Sequence, residues 1–221
     1  MLLAEEFLLL SLDDDTGRMQ VGNDKLEPAL RGALIAELAL RERIGITPDI
    51  EGWNRRRRLT ITNLKPTDDV ELDRALDYLS DRAGKKVKDL VSTMGHGNFG
   101  KGLRDRLLDR LATSGVLSEQ QGTVLGIFPR RTWPVLDRGP EEEVRGRLHS
   151  TLVAGLTPTE ATVSLVGLLH ATDRVRKVVP TDDPLAVKAR AKTLAEGDWV
   201  AKAIADAIQE TAGAAAGAAA S

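Results

Sequence analysis

The sequence predicts a mainly α protein: a single compact helical domain with short β-hairpins, spanning residues 1–210. Three observations lead there. Apolar residues recur at helical spacing, as in Leu30, Leu34 and Leu38 and again in Leu103, Leu107, Leu108 and Leu111. The 221 residues are 42% hydrophobic and 29% charged, which suits one globular domain. Aromatics make up only 3%, so Leu, Ala, Val and Ile must fill the core. There is no internal repeat and no inter-domain linker. Residues 211–221 are an Ala/Gly low-complexity tail, expected to be disordered.

The elements follow in order. Phe7–Leu12, the turn Asp13-Asp14-Asp15-Thr16-Gly17 and Arg18–Val21 read as strand, turn, strand. A helix opens at Asn23–Pro28, with Asp24 and Glu27 spaced as a capping box, and runs to Ile44-Gly45. Trp53–Thr62 reads as a small hairpin whose tip carries Arg55, Arg56, Arg57 and Arg58. Asp68–Arg82 is helical with Val70, Leu72, Ala75, Leu76 and Leu79 inward, and Val87–Met94 is a short helical piece. After a Gly-rich loop, Lys101–Ser114 is helical and Gly115 stops it. Gly122–Leu136 reads as an apolar hairpin with Arg130-Arg131 at its turn. Glu141–Leu156, Thr159–Val178, Leu185–Leu194 and Asp198–Glu210 complete the helices.

Composition excludes several functions. With no Cys there are no disulfides, no thiolate chemistry and no Cys-based metal sites. A net charge of −2 gives no global attraction to nucleic acid or to an acidic membrane, so such binding requires a local basic patch. Met1–Leu12 lacks the basic start of a signal peptide, and no segment approaches the roughly 20 apolar residues of a membrane span. The expected location is the cytoplasm, with any membrane contact peripheral.

Candidate chemistry centres on anion binding. Gly95-His96-Gly97-Asn98-Phe99-Gly100-Lys101 has phosphate-loop spacing, but Gly102 stands where Ser or Thr would hold magnesium, and no α/β alternation surrounds it. What survives is a flexible loop entering a helix start, with Lys101 and Arg104 in the first turn, where free N–H groups and the helix dipole favour an anion. Arg31 reads as lying near its own helix start, where a cation opposes the dipole. Arg55–Arg58 are the densest basic cluster: a solvated turn, or a contact with an anionic surface. His96, His149 and His170 have no ligand partner at metal spacing, and His170 reads as a core residue. No catalytic arrangement stands out, so the protein is expected not to be an enzyme and to need no cofactor.

Leu3–Leu10 with Asp15-Thr16-Gly17, Asn23-Asp24 with Leu30-Arg31-Gly32 and Glu37–Arg41, Leu103–Leu107 with Gly115-Val116-Leu117, and Leu169–Asp173 together resemble the Golgi phosphoprotein 3 family. The resemblance runs in order from about Leu2 to Ala207. It implies a non-enzymatic peripheral membrane adaptor that binds phosphatidylinositol 4-phosphate in a shallow basic pocket and grips cytosolic tails of membrane proteins. It also implies that Arg31, Lys101 and Arg104 hold the headgroup. The pocket Trp of the family is replaced by Gly22, which implies weaker and less selective binding, with Trp53 a substitute. The hairpin is implied to mediate homo-oligomerisation, with Val124, Leu125, Ile127, Phe128 and Trp133 too apolar to stand free. Arg over Lys, Ala richness and absent Cys suggest a bacterial member. The rival reading is a winged-helix-like nucleic-acid binder, with Lys101–Ser114 and the following hairpin as helix and wing; the net charge makes nucleic acid an unfavoured partner.

Overall fold

The computed structural model describes residues 1–47, 58–95, 99–124 and 128–208, with the backbone alone for 123–124 and 128–130. Its centre is α2 (Asn23–Leu40). Leu26, Ala29, Leu30, Ala33, Leu34, Ile35 and Leu38 are all fully buried, which covers far more than one stripe. A helix apolar around most of its circumference can only be a core helix. Helices α1 (Leu3–Leu9), α3 (Val70–Ser80) and α7 (Glu160–Ala171) pack against it, with α4 (Val87–Thr93) and α5 (Leu103–Thr113) beside them. Helices α6 (Gly139–Leu152), α8 (Val175–Val178) and α9 (Pro184–Gly197) flank α7. A last helix, α10 (199–208), lies across α2 and α7 at two glycines. A Cβ at Gly32 would collide with Ile204, and one at Gly167 with Ala201. The small residues set how closely these helices approach.

Two antiparallel hairpins complete the fold. Strand β1 (Ile44–Ile46) pairs with β2 (Leu59–Ile61), Ile44 opposite Ile61. Strand β3 (Gln120–Val124) pairs with β4 (Phe128–Thr132), Gln120 opposite Thr132. The mainly α class with short hairpins therefore holds. The tip at 48–57, including Trp53 and Arg55–Arg57, lies outside the described residues, as do Leu125, Ile127 and the tail from 209.

Several local readings are corrected. Residues 3–9 are a helix, not a strand. The Glu5 carboxylate accepts the Leu2 N–H at 2.8 Å, and Glu37 of α2 accepts the Leu3 N–H at 3.0 Å. A short, continuously apolar run does not reveal its period, and here the helical cap decides. The Asp13–Gly17 turn is present, but its flanks shrink to one bridge, Leu12 to Met19. The cap of α2 is Gly22, without a side-chain bond, and Pro28 lies beyond the first turn. Val70 is 56% exposed and is not one of the inward residues of α3, whose first turn is instead buried through Glu71 and Leu72. The helix expected over 159–178 breaks at Asp173 (φ +58°), where the Arg174 N–H reaches the Leu169 carbonyl. The Arg174 side chain then reaches back to the Leu10 carbonyl at 3.2 Å. Arg130 and Arg131 lie on β4, opposite Gly122 and Gln121, and not at a turn.

Ion pairs clamp the helices at their ends. Asp69 caps α3, accepting the Glu71 and Leu72 N–H groups at 3.0 and 3.2 Å, and Arg110 grips both its oxygens at 3.1 and 2.8 Å. The same Arg110 reaches Glu5 at 3.1 Å, tying α5 to α1. Burial works to raise the Asp69 carboxyl, but Arg110 and the two N–H groups outweigh it and hold it below the ordinary aspartate range. A depressed carboxyl contributes stability above its unfolded value of about 4, and that stability is lost as pH falls through the lower native value. Asp69→Asn, which keeps the cap but not the charge, is expected to flatten the acid loss of stability in urea midpoints measured across pH. Asp69→Ala, which also removes the cap, should cost about 1 kcal/mol more.

Candidate functional site

The site lies where the N-terminal half of α2 meets the loop between α4 and α5. Arg31 is midway along α2, not near its start, so the helix dipole does not act on it as the sequence suggested. It is only 8% exposed. No hydrogen bond or ion pair joins it to any described residue, and its Nε is buried without a partner. Burial lowers its pKa from the ordinary arginine value, against the opposing pull of Glu27 and Tyr78. The guanidinium still carries its charge at neutral pH. An unpaired charge at this depth is expensive, which makes Arg31 the least satisfied group in the region.

Two glycines bring the loop onto Arg31. A Cβ at Gly95 would collide with Arg31 Nη1. A Cβ at Gly100 would collide with the Met94 carbonyl oxygen and come within 2.8 Å of the Gly95 Cα. The ends of the loop therefore touch each other and the guanidinium, with residues 96–98 between them outside the described set.

A staple holds the loop's far end. Arg106 donates to the Phe99 carbonyl at 3.1 Å and the Lys101 carbonyl at 2.8 Å. Its remaining donors form a bidentate pair with Glu71 at 2.8 and 2.9 Å, and the Glu71 side chain is 2% exposed. This fork geometry fixes a guanidinium in orientation as well as position. Lys101 and Gly102 follow in a turn, Gly102 at φ +75° forming the N-cap of α5 without a side-chain bond. Lys101 is exposed.

Arg104, in the first turn of α5, reaches Asn23 Oδ1 at 3.0 Å and its neighbour Asp105 at 3.1 Å. It is half-buried, and its link to Asn23 places the start of α5 over the start of α2. Glu27, half-buried on α2, lies in the field of both Arg31 and Arg104. Burial raises its carboxyl above the usual range despite those cations and Arg106, with Asp105 adding to the rise. Arg31 from α2 and Arg104 from α5 thus both act on one carboxylate, and Lys101 lies just before α5.

The sequence marks Glu27 only as part of a helix cap, Asn23 only as a helix start and a point of family likeness, and Gly95 and Gly100 only as members of a Gly-rich loop; it does not single out the Glu71–Arg106 staple. Glu27 had a signal, its four-residue spacing to Arg31. The others depend on contacts between distant segments. A neighbouring cleft of about 520 Å³ is lined by Tyr78, Phe99, Arg82 and Arg106, with Arg82 stacked 3.8 Å from the Tyr78 ring centre.

Elsewhere, the described members of the other basic clusters are engaged. Arg58 donates to the Gly84 carbonyl at 2.6 Å. Arg131 pairs with Glu119 at 2.7 Å and Asp109 at 3.1 Å and lies over the Trp133 ring. Trp133 is 5% exposed, and it packs inside this chain. His170 is half-buried on α7 and not a core residue, because its position faces α9 lysines rather than α2. Among the described residues no helix is long and apolar enough to cross a membrane.

A mainly helical domain built around one buried central helix is the class these features define. The model of the Golgi phosphoprotein 3 (GPP34) family matches residues 3–211, and the chain belongs to that family. It is 29% identical over 211 residues to vacuolar protein sorting-associated protein 74 of Eremothecium gossypii, a match covering 82% of this chain and 62% of that one. It is 26% identical over 166 residues to the Schizosaccharomyces pombe protein of the same name, covering 69% and 48%. The chain thus spans less than two thirds of the length of these relatives.

Gly95→Ala tests the cradle. The added methyl meets a side-chain end rather than backbone, so the guanidinium should be displaced while the fold survives. The expected result is a melting temperature within a few degrees of wild type and about tenfold weaker binding of a soluble inositol phosphate by calorimetric titration, the loss of about one charge-assisted contact.

Proposed function

We propose that this chain is a peripheral membrane protein that binds an anionic lipid headgroup, phosphatidylinositol 4-phosphate or a related phosphoinositide, through Arg31, Lys101 and Arg104. It acts as a non-enzymatic adaptor. The observation that carries this reading is Arg31, a buried guanidinium with no hydrogen-bond partner among the described residues. A phosphate that reached it would offset the cost of the unpaired charge. Arg104 and Lys101 supply further cations on the same side, at an uncapped helix start where N–H groups favour anions. Family membership supports the same reading. In its finer form the adaptor grips cytosolic tails of membrane proteins and self-associates through the β3–β4 hairpin.

Gly22 replaces the aromatic platform of the family pocket, so affinity is expected to be modest. The basic tip at 55–57 would add about 1 kcal/mol per residue at an anionic surface without choosing between headgroups. Co-sedimentation with vesicles of phosphatidylcholine alone, or doped with phosphatidylglycerol, phosphatidylinositol or phosphatidylinositol 4-phosphate, separates these contributions. The wild type is expected to prefer the phosphoinositide, and Arg31→Ala/Arg104→Ala is expected to lose that preference. Equal binding to every anionic vesicle in both proteins would refute the pocket.

A further inference from the structure

Glu27 is out of place in an anion site. It sits half-buried on α2, one turn after Asn23 and one turn before Arg31, and Asn23 accepts from Arg104 of α5 at 3.0 Å, so the three share one stripe of the helix beneath the start of α5; the charged groups acting on Glu27 are Arg31, Arg104, Asp105 and Arg106. An anion held by Arg31 and Arg104 must approach this carboxylate. Like charges at that range in a partly dry site repel strongly, and the repulsion grows in proportion to the charge of the ligand.

We propose that Glu27 is the cradle's built-in counter-ion, and that seating a phosphorylated headgroup requires the Glu27 carboxylate to take up a proton. This rests on the headgroup reading above and adds two properties to it. Binding tightens as pH falls, and the carboxylate discriminates against ligands of higher charge. Burial already shifts Glu27 toward its neutral form, so little further bias is needed. Proton uptake by one group limits the effect to at most about tenfold in affinity per pH unit.

The ligand titrates too: a phosphomonoester gains a proton near pH 6, roughly. Comparing variants on one ligand cancels that contribution. A histidine side chain ordinarily gains its charge in the same range, and His96 follows Gly95 in the chain. It lies outside the described residues. A dependence carried by His96 would survive replacement of Glu27, so the comparison isolates the carboxylate.

The experiment measures affinity from pH 5 to 8 for wild type, Glu27→Gln and Arg31→Ala/Arg104→Ala. The probes are phosphatidylcholine vesicles carrying phosphatidylinositol or phosphatidylinositol 4-phosphate, and free inositol 1,4-bisphosphate to separate a lipid source from a soluble one. Thermal melts accompany each variant. Glu27→Gln is expected to bind about fivefold or more tightly than wild type at pH 7.5, the difference shrinking as pH falls and the wild-type carboxylate is neutralised. Its gain should be larger for the 4-phosphate than for phosphatidylinositol. Binding by wild type that Arg31→Ala/Arg104→Ala abolishes, with Glu27→Gln showing the same affinity and pH profile, would overturn the Glu27 proposal and leave the headgroup site standing. No binding by either wild type or Glu27→Gln to any probe at any pH would overturn both.

Discussion

Burial of α2 is the constraint on which the rest depends. Most of its circumference is covered, by α1, α3, α7 and α10, so almost every side chain it carries must be apolar or small. Arg31 breaks that rule from the middle of the helix. Its long stem can reach toward the surface, yet its Nε stays buried. Everything local to the site follows from accommodating it. The loop after α4 must begin with Gly95 because a side chain there would take the space of the guanidinium. It must close through Gly100 because its two ends touch.

The many other arginines are mostly committed to the fold. Arg106 is locked onto Glu71, Arg110 onto Asp69 and Glu5, Arg145 onto Glu141 and Asp14, and Arg147 onto Glu6. These pairs are partly buried, so their worth is geometric as much as energetic: removing one partner strands the other. A formal charge of −2 thus coexists with Arg31, a buried guanidinium that no described residue pairs. Local imbalance, not total charge, decides where an anion can bind. The same logic weakens the nucleic-acid alternative, since Arg131 on the hairpin is neutralised by two carboxylates.

Much of the fold was legible because long amphipathic segments announce their period. The α3 and α5 faces at Leu72, Leu76 and Leu79 and at Leu103, Leu107 and Leu111 are buried as spaced. The N-terminal run was not legible, because it is buried on every side and a continuous apolar stretch fits strand or helix equally. The break at Asp173 was not legible either, because the stop is made by backbone geometry rather than by a glycine or proline. Of the candidate site, Arg31, Lys101 and Arg104 could be named from helix starts and family likeness, although the dipole argument for Arg31 was mistaken. Glu27 had only its four-residue spacing to Arg31 as a signal, and the closure of the loop onto Arg31 at Gly95 and Gly100 had none, since α2 and the loop after α4 are separated by tens of residues in the chain.

The sequence by itself determined the fold class, the main helices and the basic residues worth watching, because periodicity and turn chemistry are local properties. Tertiary structure decided which cations are spent on carboxylates and which is left unpaired. It also decided that Arg104 reaches Asn23 on α2 and that Trp133 belongs to the core. Those outcomes depend on burial and on Coulomb interactions over a few ångströms between distant segments, and no local pattern encodes them.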